Sequence, residues 1–278
     1  MATYRARVRA RNHVAAFIKS FYRRSDMSML ELTPDFIKEF AAYLSTEAGL
    51  RNGSIWANCM WLKGVVMKAH YNGLIPRNPF IQFHISPNVK EREYLTEDEL
   101  KAVMTHEFAD SKLAYIRDIF IFASFTALSF VDIQELTNDN IVEVNGEKWI
   151  LSKRHKTKVA FQVKLLDIPL QIVERYRPMQ KDNRIFPGLN YWSICKPLKR
   201  MIRECGITKS ISFHCSRHGF ATLALSKGMP IESVSRVLGH TNIVTTQLYA
   251  KITTQKLDND LTMFGDKLSK TFNGITMS

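Results

Sequence analysis

The stretch "SFHCSRHGFATLALSKGMPIESVSRVLGHTNIVTTQLYAKI", residues 212–252, sets His214, Arg217 and His218 close together and closes on His240 and Tyr249. In a helix beginning near His214, positions 214, 217 and 218 fall within an arc of about 100° and share one face. Gly228-Met229-Pro230 stops that helix. "IESVSRVLGH" predicts a short helix whose Gly239 turns His240 out of it. "NIVTTQLYAKI" predicts a further helix with Tyr249 on its last turns. The run as a whole reads as short helices punctuated by glycine and proline.

Upstream of it the element types mix. "IVEVNGEKWILSK" is a predicted hairpin, two strand-like runs joined by Asn145-Gly146, a strong type I′ turn signal. "VAFQVKLL" offers a third strand. "SKLAYIRDIFIFASFTAL" reads as a mostly buried helix, preceded by a capping box of Thr96 and Glu99. After Ile168-Pro169 the chain is expected to be helical, with starts near 169, 191, 214, 231 and 242.

The N-terminal part is helical throughout. Residues 1–24 carry seven cations and no acidic residue, with Val14, Phe17, Ile18 and Phe21 at i, i+3, i+4, i+7 spacing. That is one apolar stripe on a basic helix. "LTPDFIKEFAAYL" starts a second helix, with Thr33 as N-cap and Pro34 at its first position. "GSIWANCMWLKGVVMKAHYNG" gives a third, capped by Ser54 and closed by Gly73. Three prolines, Pro76, Pro79 and Pro87, then favour extended and turn geometry. The expected organisation is a helical domain over 1–75, a linker over 76–94 and a second domain over 95–278. The fold class is mainly α with a small antiparallel β-sheet, a helical bundle followed by a mixed α/β domain.

Composition narrows the partner. The chain has 278 residues, 45% of them hydrophobic and 23% charged, the balance of a globular protein. Its net charge of +13 attracts polyanions, of which nucleic acid is the commonest in a cell. Cys59, Cys195, Cys205 and Cys215 form no C-x-x-C pair and read as reduced thiols of a cytosolic protein. No apolar run approaches the roughly 18 residues of a membrane span. His214, Cys215 and His218 lack a third metal ligand at typical spacing, and Arg217 between them repels a dication, so no metal is expected.

The order H-x-x-R-H, then Leu238-Gly239-His240, then a tyrosine nine residues on, resembles the catalytic box of the tyrosine recombinase (phage integrase) family. "NGLIPRNPF" is similar to that family's joint between its core-binding and catalytic domains. The chemistry such a resemblance implies suits these residue types. Arg217 binds two non-bridging phosphate oxygens through its planar fork. His214 and His240 donate hydrogen bonds to the same oxygens or move a proton. Tyr249, a poor nucleophile at its ordinary pKa, attacks phosphorus once cations favour its phenolate. The product is a 3′-phosphotyrosyl bond and a free 5′-hydroxyl, and resealing needs neither ATP nor another cofactor. The family's leaving-group lysine follows a β-turn strand, and Lys156 in "SKRHKTKVAF" best matches it. Lys153, Arg154, Lys158 and His218, with Arg5, Arg9 and Arg11 of the first helix, are expected DNA contacts.

One position departs from the pattern. Where the family reads T-G-L-R-x-x-E/D-[IL], this chain reads "TALSFVDIQEL", with Ala127 for the glycine and Ser129 for the arginine. Either cleavage is lost, or another cation reaches that oxygen. Arg117, 12 residues earlier on what is predicted to be the same helix, is the candidate. Integrases of Bacteroidetes conjugative transposons are similar here, with a small residue at that arginine position and an R-D-x-F-x-F phrase upstream.

The resemblance implies a C-shaped clamp on double-stranded DNA core sites. It also implies a homotetramer on two paired sites, strand exchange through a Holliday junction, and accessory DNA-bending factors. It places the protein in the bacterial cytoplasm, on the nucleoid when bound to DNA. Leu257, Leu261, Phe264 and Leu268 recur at helical spacing and predict a tail helix that docks on a neighbouring protomer. The competing readings are a catalytically impaired DNA-binding regulator and a monomeric relaxing enzyme of type IB topoisomerase kind. Many relatives carry an additional N-terminal arm-binding module, which is expected to be absent from this chain or to have been removed from it.

Overall fold

A computed structural model of the chain describes residues 2–87, 93–180, 182–250 and 254–271. It divides into two compact units, Met1–Glu91 and Arg92–Ser278.

The first unit is built on three helices, α1 (Ala2–Phe21), α2 (Pro34–Thr46) and α3 (Asn52–Tyr71). Phe17 and Ile18 of the predicted α1 stripe are buried. The Phe17 ring meets those of Phe36 and Phe40 on α2 at 5.1 and 5.5 Å. Such rings contribute apolar burial and an edge-to-face attraction together. Thr33 caps α2 as expected, its Oγ1 accepting the Phe36 N–H at 3.2 Å. The third helix starts three residues earlier than the sequence suggests. Its N-cap is Arg51, which supplies no side-chain bond, so Ser54 is not the cap. Residues after 75 do not leave this unit at once. Phe80 is fully buried in its core, and Phe83 and Ile85 pack against it. The expected linker, 76–94, therefore belongs to the first unit at least as far as Ile85, because its aromatic residues are better buried than exposed.

The second unit begins with α4 (Glu97–Thr105), where the Thr96–Glu99 capping box forms with bonds of 3.3 and 2.8 Å. Helix α5 (Ser111–Thr126) is the buried helix read from the sequence, with Ile116, Ile119, Phe120 and Phe122 in the main core. It ends at Ala127, which adopts a left-handed φ of 56°. A new short helix, α6 (Phe130–Gln134), follows with Ser129 as N-cap. Arg117 and Ser129 are thus on different elements, not on one helix.

Strands β1 (Ile141–Val144), β2 (Glu147–Lys153) and β3 (Ala160–Lys164) form an antiparallel sheet in that order. Val144 faces Glu147 across the turn, where Asn145 and Gly146 take φ of 54° and 78°, the geometry the Asn-Gly pair favours. Helices α7 (Asp167–Tyr176), α8 (Tyr191–Glu204), α9 (His214–Ser226) and α10 (Ile231–Leu238) complete most of the unit. Helix α11 (Val244–Gln247) is a single turn, so Tyr249 lies in the turn after it rather than on a helix. A second small core of Ala127, Ala221, Leu225, Val234 and Leu238 joins α5, α9 and α10, and Tyr249 packs against it. The last described helix, α12 (Thr254–Thr271), exposes Leu257, Leu261, Phe264 and Leu268. No helix among the described residues is long and apolar enough to cross a membrane.

Candidate active site

Helix α9 starts at His214, as the spacing predicts, and so presents His214, Arg217 and His218 together. The His214 and His218 rings lie 4.6 Å apart, and His218 lies 5.1 Å from the Tyr249 ring. Three rings thus run in sequence from the start of α9 to the turn after α11.

Arg217, on the same helix, is buried. Its Nη1 donates to the Ala127 carbonyl at 2.8 Å and its Nη2 to the Leu238 carbonyl. Burial first, and then the neighbouring Arg154, pull its pKa down to about 10, while the Tyr249 phenol and the Asp132 carboxylate act the other way. The group is still a full cation at neutral pH.

Arg154 is the second buried guanidinium, 5% exposed. It follows β2, where alternate side chains face inward, and it shares the inner face with Ile150 and Ser152. Its Nη1 donates to Asp132 Oδ2 at 2.7 Å and its Nη2 to the Val237 carbonyl at 2.5 Å. Its guanidinium carbon stands 4.0 Å from the centre of the Phe161 ring. The buried Nε has no hydrogen-bond partner among the described residues.

Two like charges are held together here for a specific reason. Val237 and Leu238 are the last residues of α10, and their carbonyls carry the negative end of that helix. Each accepts one of the two guanidiniums. Gly239 then turns the chain with a φ of 62°, and a Cβ there would stand 2.9 Å from Arg154 Nε and 3.0 Å from its Cγ. Only glycine provides both the left-handed turn and the space.

Among the described residues, Asp132 is the acid bonded to Arg154, and its charge is also felt by Arg217. Burial works to raise its pKa, but bonds from the His155 N–H, Arg154 and Ser129 outweigh burial and hold it below the usual carboxylate range. The His155 N–H donates at 3.0 Å and the Ser129 hydroxyl at 2.8 Å. Ser129 therefore caps α6 and supports Asp132. One carboxylate against two guanidiniums leaves a net positive pocket, suited to an anion.

His240 follows Gly239, with its N–H bonded to the Ser235 carbonyl at 3.0 Å. Its Nδ1 lies 2.9 Å from the hydroxyl of Thr246, which is fully buried. Burial, then Arg217, Arg154 and His214, push its pKa down to about 4, so the ring is neutral at pH 7.

The structure thus gathers Tyr249, Arg217, His214, His218 and His240 and adds Arg154, which the sequence suggests only as a phosphate contact. The period-two alternation of β2 is the signal that could have set Arg154 apart from Lys153. Lys156 and Lys158 are exposed on the β2–β3 turn, and Lys153 is exposed at the end of β2. Arg5, Arg9 and Arg11 are exposed on α1 in the first unit. Arg117 is not with the cluster. Its Nε donates to Asp118 at 2.8 Å and its Nη1 to the His106 carbonyl at 2.9 Å. Asp118 also takes Arg175 and the Tyr176 hydroxyl, so Arg117 belongs to a structural network.

The pattern that defines the phage integrase family matches residues 93–256, and that of the phage integrase SAM-like domain matches residues 1–85. The tyrosine recombinase XerA of Pyrococcus horikoshii is 32% identical over 177 residues, 59% of this chain and 58% of that protein. The tyrosine recombinase XerC of Lactobacillus leichmannii is 25% identical over 229 residues, 77% of each chain. Among solved structures, the Tn1549 transposon integrase in complex with transposon right end DNA superposes with a TM-score of 0.76. That likeness has 16% identity and covers 95% of this chain and 94% of the other. A lambda integrase dimer bound to a core site gives 0.65 at 18% identity, covering 85% and 86%. These likenesses place the protein among the tyrosine recombinases. The first pattern covers more than half of the sequence, and the chain belongs to the phage integrase family.

Proposed function

We propose that this protein cleaves and rejoins duplex DNA at specific sites through a 3′-phosphotyrosyl intermediate formed by Tyr249. The observation that carries the reading is the phenol set beside His218, in range of the buried Arg217. Arg217 and Arg154 neutralise the two non-bridging oxygens as negative charge builds in the transition state. His214 and His240 donate hydrogen bonds to those oxygens. Tyr249 Oη, its proton released to solvent, attacks phosphorus as the phenolate, the bond to the 5′-oxygen breaks, and that oxygen takes a proton, for which Lys156 on the β2–β3 turn is the donor. Reversal with an incoming 5′-hydroxyl seals the strand and frees the phenol.

Arg154 takes the part expected of Arg117. Its burial next to Arg217 supplies the cation that Ser129 lacks, which argues against the impaired-regulator reading. Phosphate contacts from Arg5, Arg9 and Arg11, and from Lys153, Lys158 and His218, supply affinity for the core site. The protein works as a homotetramer on two paired sites, exchanges strands through a Holliday junction, and accepts accessory DNA-bending factors. The exposed stripe of α12 supports exchange of tails between protomers. In a bacterial cell it would sit on the nucleoid.

A nicked suicide substrate tests the reading. The protein should become covalently attached to the 3′ end, and Tyr249→Phe should bind the same DNA without attachment. No adduct from the intact protein, on DNA that it binds, would sink the proposal.

A further inference from the structure

We propose that Thr246 is a positioning residue that fixes His240 as the tautomer with its proton on Nε2. This rests on the function proposed above, in which His240 faces a phosphate oxygen. The argument is a hydrogen-bond account of one hydroxyl. Thr246 is fully buried, so its hydroxyl has no solvent to donate to. Among the described residues its Oγ1 meets a single partner, His240 Nδ1 at 2.9 Å. Were Nδ1 to carry the proton and donate, the hydroxyl hydrogen would be left buried without an acceptor, at the full cost of its desolvation. The favoured arrangement has the hydroxyl donating and Nδ1 accepting. The proton of the neutral ring is then on Nε2.

The ring is neutral at working pH, because burial and three nearby cationic or imidazole groups depress its protonation. Its tautomer therefore decides what it can do. With Nε2 protonated, His240 is a hydrogen-bond donor from the outset and not a base waiting for a proton. Thr246 makes a second connection through its main chain, whose carbonyl accepts the Tyr249 N–H at 3.0 Å. One residue thus ties the imidazole to the turn that carries the nucleophile. Asn242 steadies the same segment, its Oδ1 accepting the Val244 N–H at 2.9 Å.

The test uses the full chain and two variants, Thr246→Val and Thr246→Ser. Valine keeps the shape and removes the hydroxyl, and serine keeps the hydroxyl. Adduct formation on the nicked substrate is expected to slow about tenfold in Thr246→Val, the kinetic equivalent of one hydrogen bond. Affinity for the DNA should be unchanged, and Thr246→Ser should restore most of the rate. Nitrogen NMR of the intact, DNA-free protein should show His240 with a protonated Nε2 and an accepting Nδ1. A wild-type rate in Thr246→Val, equal slowing in both variants, or a proton on Nδ1 overturns the inference. If the intact protein forms no adduct at all, the recombinase reading fails, and the NMR measurement alone decides this one.

Discussion

Arg154 donates to Asp132 across 2.7 Å, with both side chains buried at 7% and 5% exposure. An isolated buried guanidinium would be very costly, and one carboxylate with one helix-end carbonyl compensates it in part. The guanidinium is therefore fixed before any DNA arrives. Pre-set charge of this kind is worth most when negative charge develops on a phosphate.

Arg154→Lys is expected to lower the rate of adduct formation by about 10²–10³, the usual loss on removing one transition-state donor. Lysine retains charge for Asp132 but loses the fork and the stack on Phe161. Arg117→Lys should leave that rate within a few-fold of normal, since Arg117 serves Asp118. Single-turnover cleavage of the nicked substrate compares the two. The opposite order would return the missing cation to Arg117.

Gly239→Ala should fail in a different way. The left-handed φ costs a non-glycine residue about 1–2 kcal/mol, and the new Cβ would press on Arg154. The midpoint of thermal unfolding should fall by several degrees, and cleavage should fall further than the stability loss explains. A variant that melts earlier yet cleaves normally would show that Arg154 can move aside without consequence.

Two of the site's shifted groups, His240 and Asp132, predict the acid limb of stability. His240 has its pKa lowered from 6.5 to about 4 in the fold. The unfolded chain therefore binds this proton first, and stability falls as pH drops from about 6.5 towards 4. Asp132 is held below its ordinary value of 3.8. Its contribution is present above that value and is lost at lower pH. Denaturant titrations from pH 7.5 to 3.5 should show the first decline, and His240→Gln should flatten it between pH 6.5 and 4. An unchanged slope in that variant would remove His240 as the cause.

Salt should report the α1 arginines. Each phosphate contact adds about 0.9 to the slope of log K against log salt on duplex DNA. Replacing Arg5, Arg9 and Arg11 together by alanine should lower the slope by about 2–3. Cleavage by already bound protein should stay near normal. Fluorescence anisotropy over a salt series measures the slope, and an unaltered value would make this face a solvated surface only.

The exposed stripe on α12 gives the last expectation. Leu261→Glu with Phe264→Glu should leave binding to a single core site intact and abolish larger assemblies on paired sites. Native gel shifts distinguish the two. Tetramers that persist would exclude the tail as the link.

What the sequence determined by itself was local. The Thr33 cap, the Thr96–Glu99 capping box, the Asn145-Gly146 turn and the shared face of His214, Arg217 and His218 depend on residues within about one helical turn of each other. Backbone geometry settles such relations without the rest of the chain. The family pattern around Leu238-Gly239-His240 and Tyr249 was legible for the same reason. Tertiary structure alone decided which cation stands beside Arg217. Arg154 reaches Asp132 across 22 residues and the Val237 carbonyl across 83, and Arg217 reaches the Ala127 carbonyl across 90. Those partners meet only because the sheet, α6 and the end of α10 pack together, and no local rule carries that information. Arg117 is legible as a cation upstream of Ser129 that could reach the site only if the helix end folded back, but α5 stops at Ala127 and Asp118 takes the guanidinium.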